Sequence, residues 1–306
     1  MKQLSQSSTG GTTAQRTEIN TLGMRTRAWV YGASHGAPLI LVHGFRGDHH
    51  GLEGLAVAAS ALAPELRIVV PDLPGFGESP AVPGREHNLE LYGEWLCQFA
   101  AEVSEGSAFA ILGHSFGSLV VANARSQGLS PSSTTLINPI SAPALEGPQA
   151  VMTQLAIAYY RAAAMLPEAP SRTLLGSPLI VRVMSEFMAK TRDRELRAWI
   201  HDQHDRYFSQ FADSRTLLDA FRASVSHTVT EYADSFSGRT LLIAGDRDDI
   251  TPLSEQLALA HRLEDAELRV VPNVGHLVHY EAVEYAAEEL IAFLRDESRN
   301  EGERSA

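Results

Sequence analysis

Short apolar runs recur along the chain, and stretches with apolar residues at helical spacing separate them. The runs are bounded by Pro, Gly or Asp, which is typical of strands buried on both faces of a sheet. They occupy residues 38–45, 66–72, 109–113, 135–139, 240–246 and 267–272. Helical patterns occupy residues 52–62, 89–103, the segment after 115, and 281 to about 295. Strands that alternate with helices at this spacing predict an α/β fold with a mostly parallel central sheet.

The alternation of strands and helices is interrupted once. A weaker strand pair, residues 18–22 and 24–31, precedes it with Gly23 as the turn, but no convincing strand occurs between residues 140 and 237. Apolar residues there recur at three- and four-residue steps, as in amphipathic helices. One such set is Leu196, Trp199, Ile200, Tyr207, Phe208 and Phe211, and the next is Leu217, Leu218, Phe221, Val225, Val229 and Tyr232. The pattern predicts an insertion of roughly four helices.

Composition narrows the class of protein. The chain is 44% hydrophobic, which is enough for a sizeable core. Its length of 306 residues suggests about two domains, and one α/β core with a large insertion fits that length equally well. The formal net charge is −12 and no long Lys/Arg block occurs, so we expect no nucleic-acid partner. No apolar run is long enough for a membrane span, and residues 1–16 lack the apolar segment of a secretory signal. Cytoplasm is therefore the default expectation.

The pentapeptide GHSFG at residues 113–117 carries the sharpest chemical signal. It matches the G-x-S-x-G pattern, and it stands between a predicted buried strand and a helix of small residues, as that pattern requires. Glycines two residues before and after Ser115 permit a tight turn that projects the hydroxyl above the sheet edge. We therefore predict Ser115 as a nucleophile. The alternative interpretation is a serine that caps the helix in an ordinary turn.

A serine hydroxyl needs a general base, and the base needs a carboxylate that orients it. His276 stands in a glycine-containing loop after the last predicted strand, at the carboxyl edge of the sheet, where reactive groups gather. His279 is the alternative base, although it falls within the following helical turn. The segment GDRDDITP after another strand offers three carboxylates: Asp246, Asp248 and Asp249. Position alone leaves these three candidates open.

Two backbone amides are expected to stabilise the oxyanion that develops during attack on a carbonyl group. One belongs to Phe116, directly after the nucleophile. The other belongs to Phe45, after Gly44 in the loop LVHGFRGDH, where the glycine lets the backbone approach a substrate. The alternative interpretation is that HGFRG is only a tight connection between a strand and a helix. Gly44, Arg46 and His114 are further candidates for the pocket.

Two histidine clusters have some of the spacing of metal sites. They are DHHGLE at residues 48–53 and HDQHD at residues 201–205. Exposed His and Asp on an amphipathic helix are ordinarily solvated, so we predict no metal site in either. Neither G-x-G-x-x-G nor a phosphate-binding loop occurs, so we expect no cofactor. The single cysteine, Cys97, lies in an apolar stretch and is interpreted as a core residue.

Five segments together resemble the α/β-hydrolase superfamily over residues 18–294. They are HGFRG, DLPGFGES, GHSFG, GDRDDITP and NVGHLVHYE, in the expected order. In that family the carboxylate lies three residues after the glycine of G-x-x-D, which implies Asp248 as the acid and leaves Asp246 to brace the loop. Some relatives carry the acid after an earlier strand, near the uncharged Asn138 of this chain, so the later loop is favoured. The serine at position 115 argues against relatives with an aspartate nucleophile.

The resemblance also implies a division of the chain and a class of reaction. The expected units are a flexible tail at 1–17, a hydrolase core at 18–138 and 238–297, a helical cap over the pocket at 139–237, and a C-terminal tail at 298–306. The expected function is hydrolysis of a small or medium, largely apolar carboxylic ester through an acyl-enzyme, with a small molecule as the partner. The alternatives are a carbon–carbon bond hydrolase of ring-cleavage diketones and a non-catalytic ligand-binding homologue. Ser118 stands where many esterase-like and carbon–carbon bond hydrolase relatives have a second glycine.

Overall fold

A computed structural model describes residues 14–143 and 150–304, which contain an eight-stranded sheet of order β1-β2-β4-β3-β5-β6-β7-β8. The strands are β1 (Gln15–Thr21), β2 (Met24–Gly32), β3 (Pro38–Val42), β4 (Arg67–Pro71), β5 (Ala110–His114), β6 (Ser133–Ile137), β7 (Thr240–Gly245) and β8 (Ala266–Val271). The pairings β1–β2 and β2–β4 are antiparallel, and the five pairings from β4 through β8 are parallel. The predicted mostly parallel sheet is confirmed.

Helices cover both faces of the sheet. Those of the first half are α1 (His49–Leu62), α2 (Leu89–Ser104) and α3 (Phe116–Ser126). Between β6 and β7 lie α4 (Ala150–Ala164), α5 (Glu168–Leu175), α6 (Pro178–Met188), α7 (Arg194–Tyr207), α8 (Ser214–Ser226) and a 3-10 helix (Val229–Ser235). This segment is called the helical insertion below. The chain closes with α9 (Leu253–Arg262), α10 (Val278–Glu281) and α11 (Val283–Arg304).

Strand β3 shows why the central runs are apolar throughout. Successive side chains of a strand point to opposite faces, and both faces of this sheet are covered. Ile40 and Val42 pack into the core under α2 and α3, whereas Leu39 and Leu41 pack into the core under α1 and α11. All four side chains are fully buried. A strand buried in this way has no polar face, so it reads as a continuous apolar run.

The ends of the chain differ from expectation. Strand β1 begins at Gln15, inside the tail expected at 1–17, because seven consecutive residues pair with β2. Residues 1–13 of that tail lie outside the described residues. Helix α11 continues to Arg304 rather than ending near residue 295, so it takes in most of the tail expected at 298–306. Residues 305 and 306 lie outside the described part of the chain.

Two helical parts of the chain also differ from the sequence-based prediction. The described part of the insertion holds five α-helices rather than roughly four, and the pattern through 217–232 breaks after Ser226. His227 is extended there, and Thr228 starts the 3-10 helix with a reciprocal capping pair to Glu231. Helix α9 was not anticipated, although Pro252 stands at its start and Leu259 is buried on its inner face. Short amphipathic helices give a weak periodic signal.

A close approach of helix α3 to strand β3 fixes the centre of the fold. A methyl group on Gly117 would lie 2.2 Å from the carbonyl oxygen of Val42. A methyl group on Gly113 would lie 2.6 Å from the carbonyl oxygen of Gly117. No side chain fits at either position, because backbone carbonyl groups cannot move aside as a flexible side chain can. Both glycines of GHSFG are therefore required by packing.

We predict that Gly117→Ala lowers the free energy of unfolding by about 3 kcal/mol, because the added methyl forces β3 and α3 apart. Gly54→Ala in α1 is the matched control, since its methyl would lie 3.8 Å from Val283 in ordinary contact. In that control the free energy of unfolding should rise by about 0.5 to 1 kcal/mol, because alanine has a higher helix propensity than glycine. Urea denaturation followed by circular dichroism measures both changes. Equal stabilities of the two variants would contradict the packing argument.

Candidate active site

Ser115 lies on a strained turn between β5 and α3. Its φ of 51° and ψ of −117° place a non-glycine residue in a backbone region that L-residues rarely adopt. The turn is held by a hydrogen bond from the Ser115 amide to the Ile137 carbonyl at 3.1 Å. The Ser115 hydroxyl makes no capping hydrogen bond to α3, which excludes the interpretation of a helix cap. The hydroxyl is therefore presented to another partner.

That partner is His276, and the imidazole in turn contacts Asp248. The Ser115 Oγ lies 2.7 Å from His276 Nε2, and His276 Nδ1 lies 2.7 Å from Asp248 Oδ2. An ionised carboxylate can only accept, so Nδ1 carries the proton and donates it to Asp248. Nε2 then has a free lone pair that accepts the hydroxyl proton of Ser115. All three side chains are buried, and Ser115 exposes 9% of its surface.

The carboxylate of Asp248 is saturated with donors. Oδ1 accepts the amides of Ile250 at 2.8 Å and Thr251 at 3.0 Å, and Oδ2 accepts the Thr251 hydroxyl and the Asn138 side-chain amide in addition to His276. Burial alone raises the pKa of Asp248, but His276 and the donors of Thr251 outweigh it and hold that pKa at about 2. Asp248 is therefore ionised at neutral pH.

The other candidates for acid and base lie elsewhere. Asp246 accepts the Asn273 amide at 2.6 Å and so links the loops after β7 and β8. Asp249 is exposed and pairs with Lys190 at 2.6 Å. His279 is buried in α10 and packs its ring against His114 at 3.9 Å between centroids. The geometry thus joins Asp248 and His276 to Ser115 and leaves the alternatives out of that row.

The loop after β3 approaches the serine closely. A methyl group on Gly44 would lie 3.3 Å from Ser115 Cβ, so the backbone before Phe45 packs directly against the turn. Gly44 and Gly47 close a tight turn through a 3.1 Å backbone hydrogen bond. Phe116 is the first residue of α3, and amides in the first turn of a helix have no acceptor within the helix. Both predicted amide positions therefore border Ser115.

Two of the residues predicted for the pocket, Arg46 and His114, are buried. Arg46 exposes 1% of its surface and hydrogen-bonds to groups of the helical insertion. The ring of His114 lies under the site, with Nε2 3.2 Å from the carbonyl oxygen of His276. It therefore donates to the loop that carries His276. Gly44 is the pocket candidate that remains partly exposed beside Ser115.

Ser118, which replaces a second glycine of relatives, has a clear structural role. Its hydroxyl donates to the Ser115 carbonyl at 2.5 Å and accepts the Ile140 amide at 3.2 Å. It thereby ties the turn at Ser115 to the first residues after β6. A glycine could make neither bond. The departure from the motif is a hydrogen-bonded link between the turn and the start of the helical insertion.

The cluster at residues 48–50 makes its contacts within the protein. Its ligand atoms lie within 4.8 Å of one another. However, His49 Nδ1 lies 2.9 Å from Asp72, and Asp48 caps α1 by accepting the His50 amide at 2.9 Å. Asp72 Oδ2 also accepts the Glu78 amide at 2.7 Å, which closes the DLPGFGES turn. These bonds give the histidines and aspartates structural roles beside the loop after β3.

Sequence reasoning missed two partners of Asp248. Thr251 follows Asp248 by three residues, and an aspartate that accepts amides two and three residues later is a recognisable local turn. That signal was present in GDRDDITP. Asn138 Nδ2 donates to Asp248 Oδ2 at 2.7 Å across 110 residues of sequence. No local pattern reports such a contact, because only the neighbouring positions of β6 and β7 in the sheet create it.

Three buried histidines near the site are neutral. Burial lowers the pKa of His114 to about 3 and lowers that of His204 to about 3. Burial, and after it the adjacent imidazole of His114, lowers the pKa of His279 well below its ordinary value. His204 Nδ1 lies 2.7 Å from the Ser185 hydroxyl, which links α7 to α6. These imidazoles pack against neighbouring rings without adding positive charge.

Comparison with known proteins identifies the family. Residues 39–288 match the profile of the alpha/beta hydrolase family, and the chain belongs to that family. The resemblance seen in the five sequence motifs is confirmed. The chain is 29% identical over 289 residues to the dihydrolipoyllysine-residue acetyltransferase component of the acetoin cleaving system of Pseudomonas putida, an alignment that covers 93% of this chain and 70% of that protein.

Solved structures share the fold at low sequence identity. A thermophilic esterase from Thermogutta terrifontis is 22% identical with a TM-score of 0.72, over 93% of this chain and 99% of that chain. An enol-lactonase from Burkholderia xenovorans is 16% identical with a TM-score of 0.71, over 91% and 100% of the two chains.

Within the described residues, the helices lack the combined length and apolarity that crossing a bilayer requires.

We predict that His204→Leu reduces the loss of stability in acid. In the unfolded chain this imidazole takes up a proton near pH 6.5, whereas in the folded chain it stays neutral until about pH 3. Below pH 6.5 the free energy of unfolding therefore decreases as the pH decreases, by about 1.4 kcal/mol per pH unit for one such group. Urea denaturation between pH 6 and 4.5 should show a smaller slope for His204→Leu than for the unmodified protein.

The exposed His261 at the end of α9 provides the control for this prediction. His261→Leu also removes one histidine, but from a solvent-facing position. The comparison uses the slope of the free energy of unfolding against pH rather than its absolute value, because His204→Leu also removes the bond to Ser185. Identical slopes for the two variants would contradict a buried, neutral His204.

Proposed function

We propose that this protein is a serine hydrolase that cleaves a small or medium, largely apolar carboxylic ester through an acyl-enzyme. The observation that carries the proposal is the continuous row Ser115 Oγ, His276 and Asp248, with both contacts at 2.7 Å. A hydroxyl, an imidazole and an ionised carboxylate in this arrangement are the elements of an activated nucleophile. Membership of the alpha/beta hydrolase family supports the same chemistry.

In the proposed mechanism, Ser115 attacks the carbonyl carbon of the ester. His276 Nε2 takes the hydroxyl proton during the attack and then gives it to the leaving alcohol. Asp248 holds Nδ1–H and stabilises the positive charge that forms on the imidazole. Water then attacks the acyl carbon, with the same Nε2 as general base. The bond from that carbon to Ser115 Oγ breaks, the carboxylic acid leaves, and Nε2 returns the proton to Ser115. The carboxylate suits its role because its pKa of about 2 keeps it ionised while the imidazole changes charge.

The proposed oxyanion hole consists of the Phe45 and Phe116 amides. The support for Phe45 is the contact of Gly44 with Ser115, and the support for Phe116 is its place at the start of α3. The positive end of the α3 dipole also points at the turn, which favours a negative charge there. Donors that are already in place need no reorganisation when the charge develops.

We propose that the helical insertion acts as a cap over the pocket. The Phe45 ring lies 6.0 Å from the Tyr160 ring and 5.7 Å from the Phe221 ring, so insertion side chains meet the loop beside Ser115. These aromatic groups support an apolar acyl or alcohol part in the substrate. Ser115 exposes 9% of its surface, and movement of the proposed cap would open the way for a substrate.

Acyl transfer is the second candidate function. The support is the 29% identity, over 93% of this chain, to a protein named as an acetyltransferase component. The same acyl-enzyme would form, and an acceptor other than water would attack it. Product analysis with dihydrolipoamide present beside water separates transfer from hydrolysis.

We predict that Ser115→Ala abolishes turnover of short-chain p-nitrophenyl esters and labelling by a fluorophosphonate probe. Loss of the nucleophile should lower kcat by about a millionfold. Ser185→Ala is the matched control, because the buried Ser185 hydroxyl also lies between imidazoles, 2.5 Å from His201 and 2.7 Å from His204. It sits within helix α6, without a turn like that at Ser115. Absence of any labelling in the unmodified protein would favour a non-catalytic binder.

We predict that Asp248→Asn lowers kcat by about ten-thousandfold, because an amide can donate to Nδ1 and so favours the wrong tautomer of His276. Asp249→Asn is the control. It changes the adjacent, exposed carboxylate, which pairs with Lys190. Its kcat should stay within about twofold, in line with the small effect of exposed ion pairs. Initial rates at neutral pH test both, and an equal loss in the two variants would refute the assignment of Asp248.

A further inference from the structure

Arg46 is a fully buried cation whose hydrogen bonds all reach the helical insertion. Nε donates to the Phe208 carbonyl at 3.0 Å, Nη1 to the Tyr160 hydroxyl at 3.1 Å, and Nη2 to the Leu175 carbonyl at 2.7 Å. Its three acceptors are two backbone carbonyl groups and a phenol hydroxyl, and none of them is a carboxylate. A buried charge without a counter-ion needs another source of stabilisation.

Two helix ends supply that stabilisation. Leu175 is the last residue of α5, and Phe208 is the residue that ends α7. The final carbonyl groups of a helix lack partners within the helix and carry the negative end of its dipole. The Arg46 guanidinium accordingly lies between two partial negative charges that belong to the insertion. Its environment therefore exists only while α5 and α7 stay docked on the loop after β3.

The backbone of Arg46 is unusual for a long side chain. It has a φ of 62° at the third position of the turn that Gly44 and Gly47 close. Glycine or asparagine ordinarily occupies a turn position with positive φ. The side-chain bonds to the insertion offset this strain, so the conformation of the turn depends on them.

This turn carries the Phe45 amide proposed for the oxyanion hole. From the core side, His43 Nδ1 donates to the Gly44 carbonyl at 2.8 Å, and His43 Nε2 accepts the Leu73 amide. From the other side, the guanidinium of Arg46 and the ring of Phe45 both enter the insertion. The turn that carries the Phe45 amide is thus held on one side by His43 in the core and on the other side by contacts with the insertion.

We propose that Arg46 couples docking of the helical insertion to formation of the oxyanion hole. With the insertion docked, the guanidinium fixes the turn, so that the Phe45 amide points at the carbonyl oxygen of a substrate bound at Ser115. When the insertion moves away to admit a substrate, Arg46 loses its hydrogen bonds to the insertion. The turn is then held only from the core side, and the Phe45 amide no longer has a fixed position. Arg46 is a positioning residue, since it touches neither the substrate nor the reacting atoms. The inference rests on the proposed function.

The test compares Arg46→Met with Arg172→Met in the full chain. Methionine keeps most of the volume but removes the charge and the three bonds. Arg172 is the matched control because it also donates to carbonyl groups of the insertion, those of Phe211 and Ala212, and stacks on Phe211 at 5.1 Å. It makes these bonds within the insertion and does not contact the turn.

For Arg46→Met we expect a fall in kcat of about a hundredfold or more, the cost of losing one oxyanion donor. KM for a short-chain p-nitrophenyl ester should change by less than about threefold, and the rate of fluorophosphonate labelling should fall in proportion to kcat. Arg172→Met should keep both parameters within about threefold. A folded Arg46→Met protein that keeps its kcat, or whose kcat and KM change to the same extent as those of Arg172→Met, overturns the proposal.

Tyr160→Phe keeps the test decisive where Arg46→Met does not fold. It removes one hydroxyl acceptor from Arg46 and leaves the guanidinium in place. We expect kcat to fall by about threefold to tenfold at constant KM, in line with the loss of one buried hydrogen bond. An unchanged kcat in that variant overturns the proposal. An unmodified protein that neither turns over esters nor becomes labelled at Ser115 instead counts against the proposed function, so the two failures are distinguishable.

Discussion

The buried carboxylate of Asp248 is the constraint on which the order of the candidate site depends. Removing an ion from water costs several kcal/mol unless other groups replace its hydration. Here backbone amides, a hydroxyl, a side-chain amide and an imidazole from three separate segments replace it. Each donor must sit within hydrogen-bond distance, so the loops after β6, β7 and β8 are held in register with one another. The orientation of His276 follows from that register.

Backbone strain concentrates at the same edge of the sheet. Six non-glycine residues of the described chain have positive φ, and four of them lie in the loops after strands beside the site: Arg46, Ser115, Asn138 and Asn273. Such conformations persist only where the surroundings over-determine them. Here tertiary hydrogen bonds do so, including those of Ser115 to Ile137 and of Asn273 to Asp246. Strain at these four positions is thus matched by tertiary contacts of the loops that carry them.

The parts of the molecule that sequence could predict are those with local causes. Buried strands appear as apolar runs because both of their faces are covered. The pentapeptide GHSFG is recognisable because its two glycines leave no room for a side chain against nearby backbone atoms. The choice of Asp248 needed the family resemblance, since three aspartates share one loop. The roles of Asn138 and Arg46 could not be predicted, because their partners lie 110 or more residues away and are fixed only by tertiary packing.

The helical insertion leaves the sheet at β6 and returns at β7, and these two strands are neighbours. Bonds from the Thr134 amide to the Arg239 carbonyl and from the Asn138 amide to the Ile243 carbonyl fasten its two ends together. A segment that exits and re-enters at one point of a rigid frame can change length or sequence without moving the frame. In its proposed role as a cap, this segment could be exchanged to change the substrate preference, provided the replacement restores an anchor for the Arg46 guanidinium.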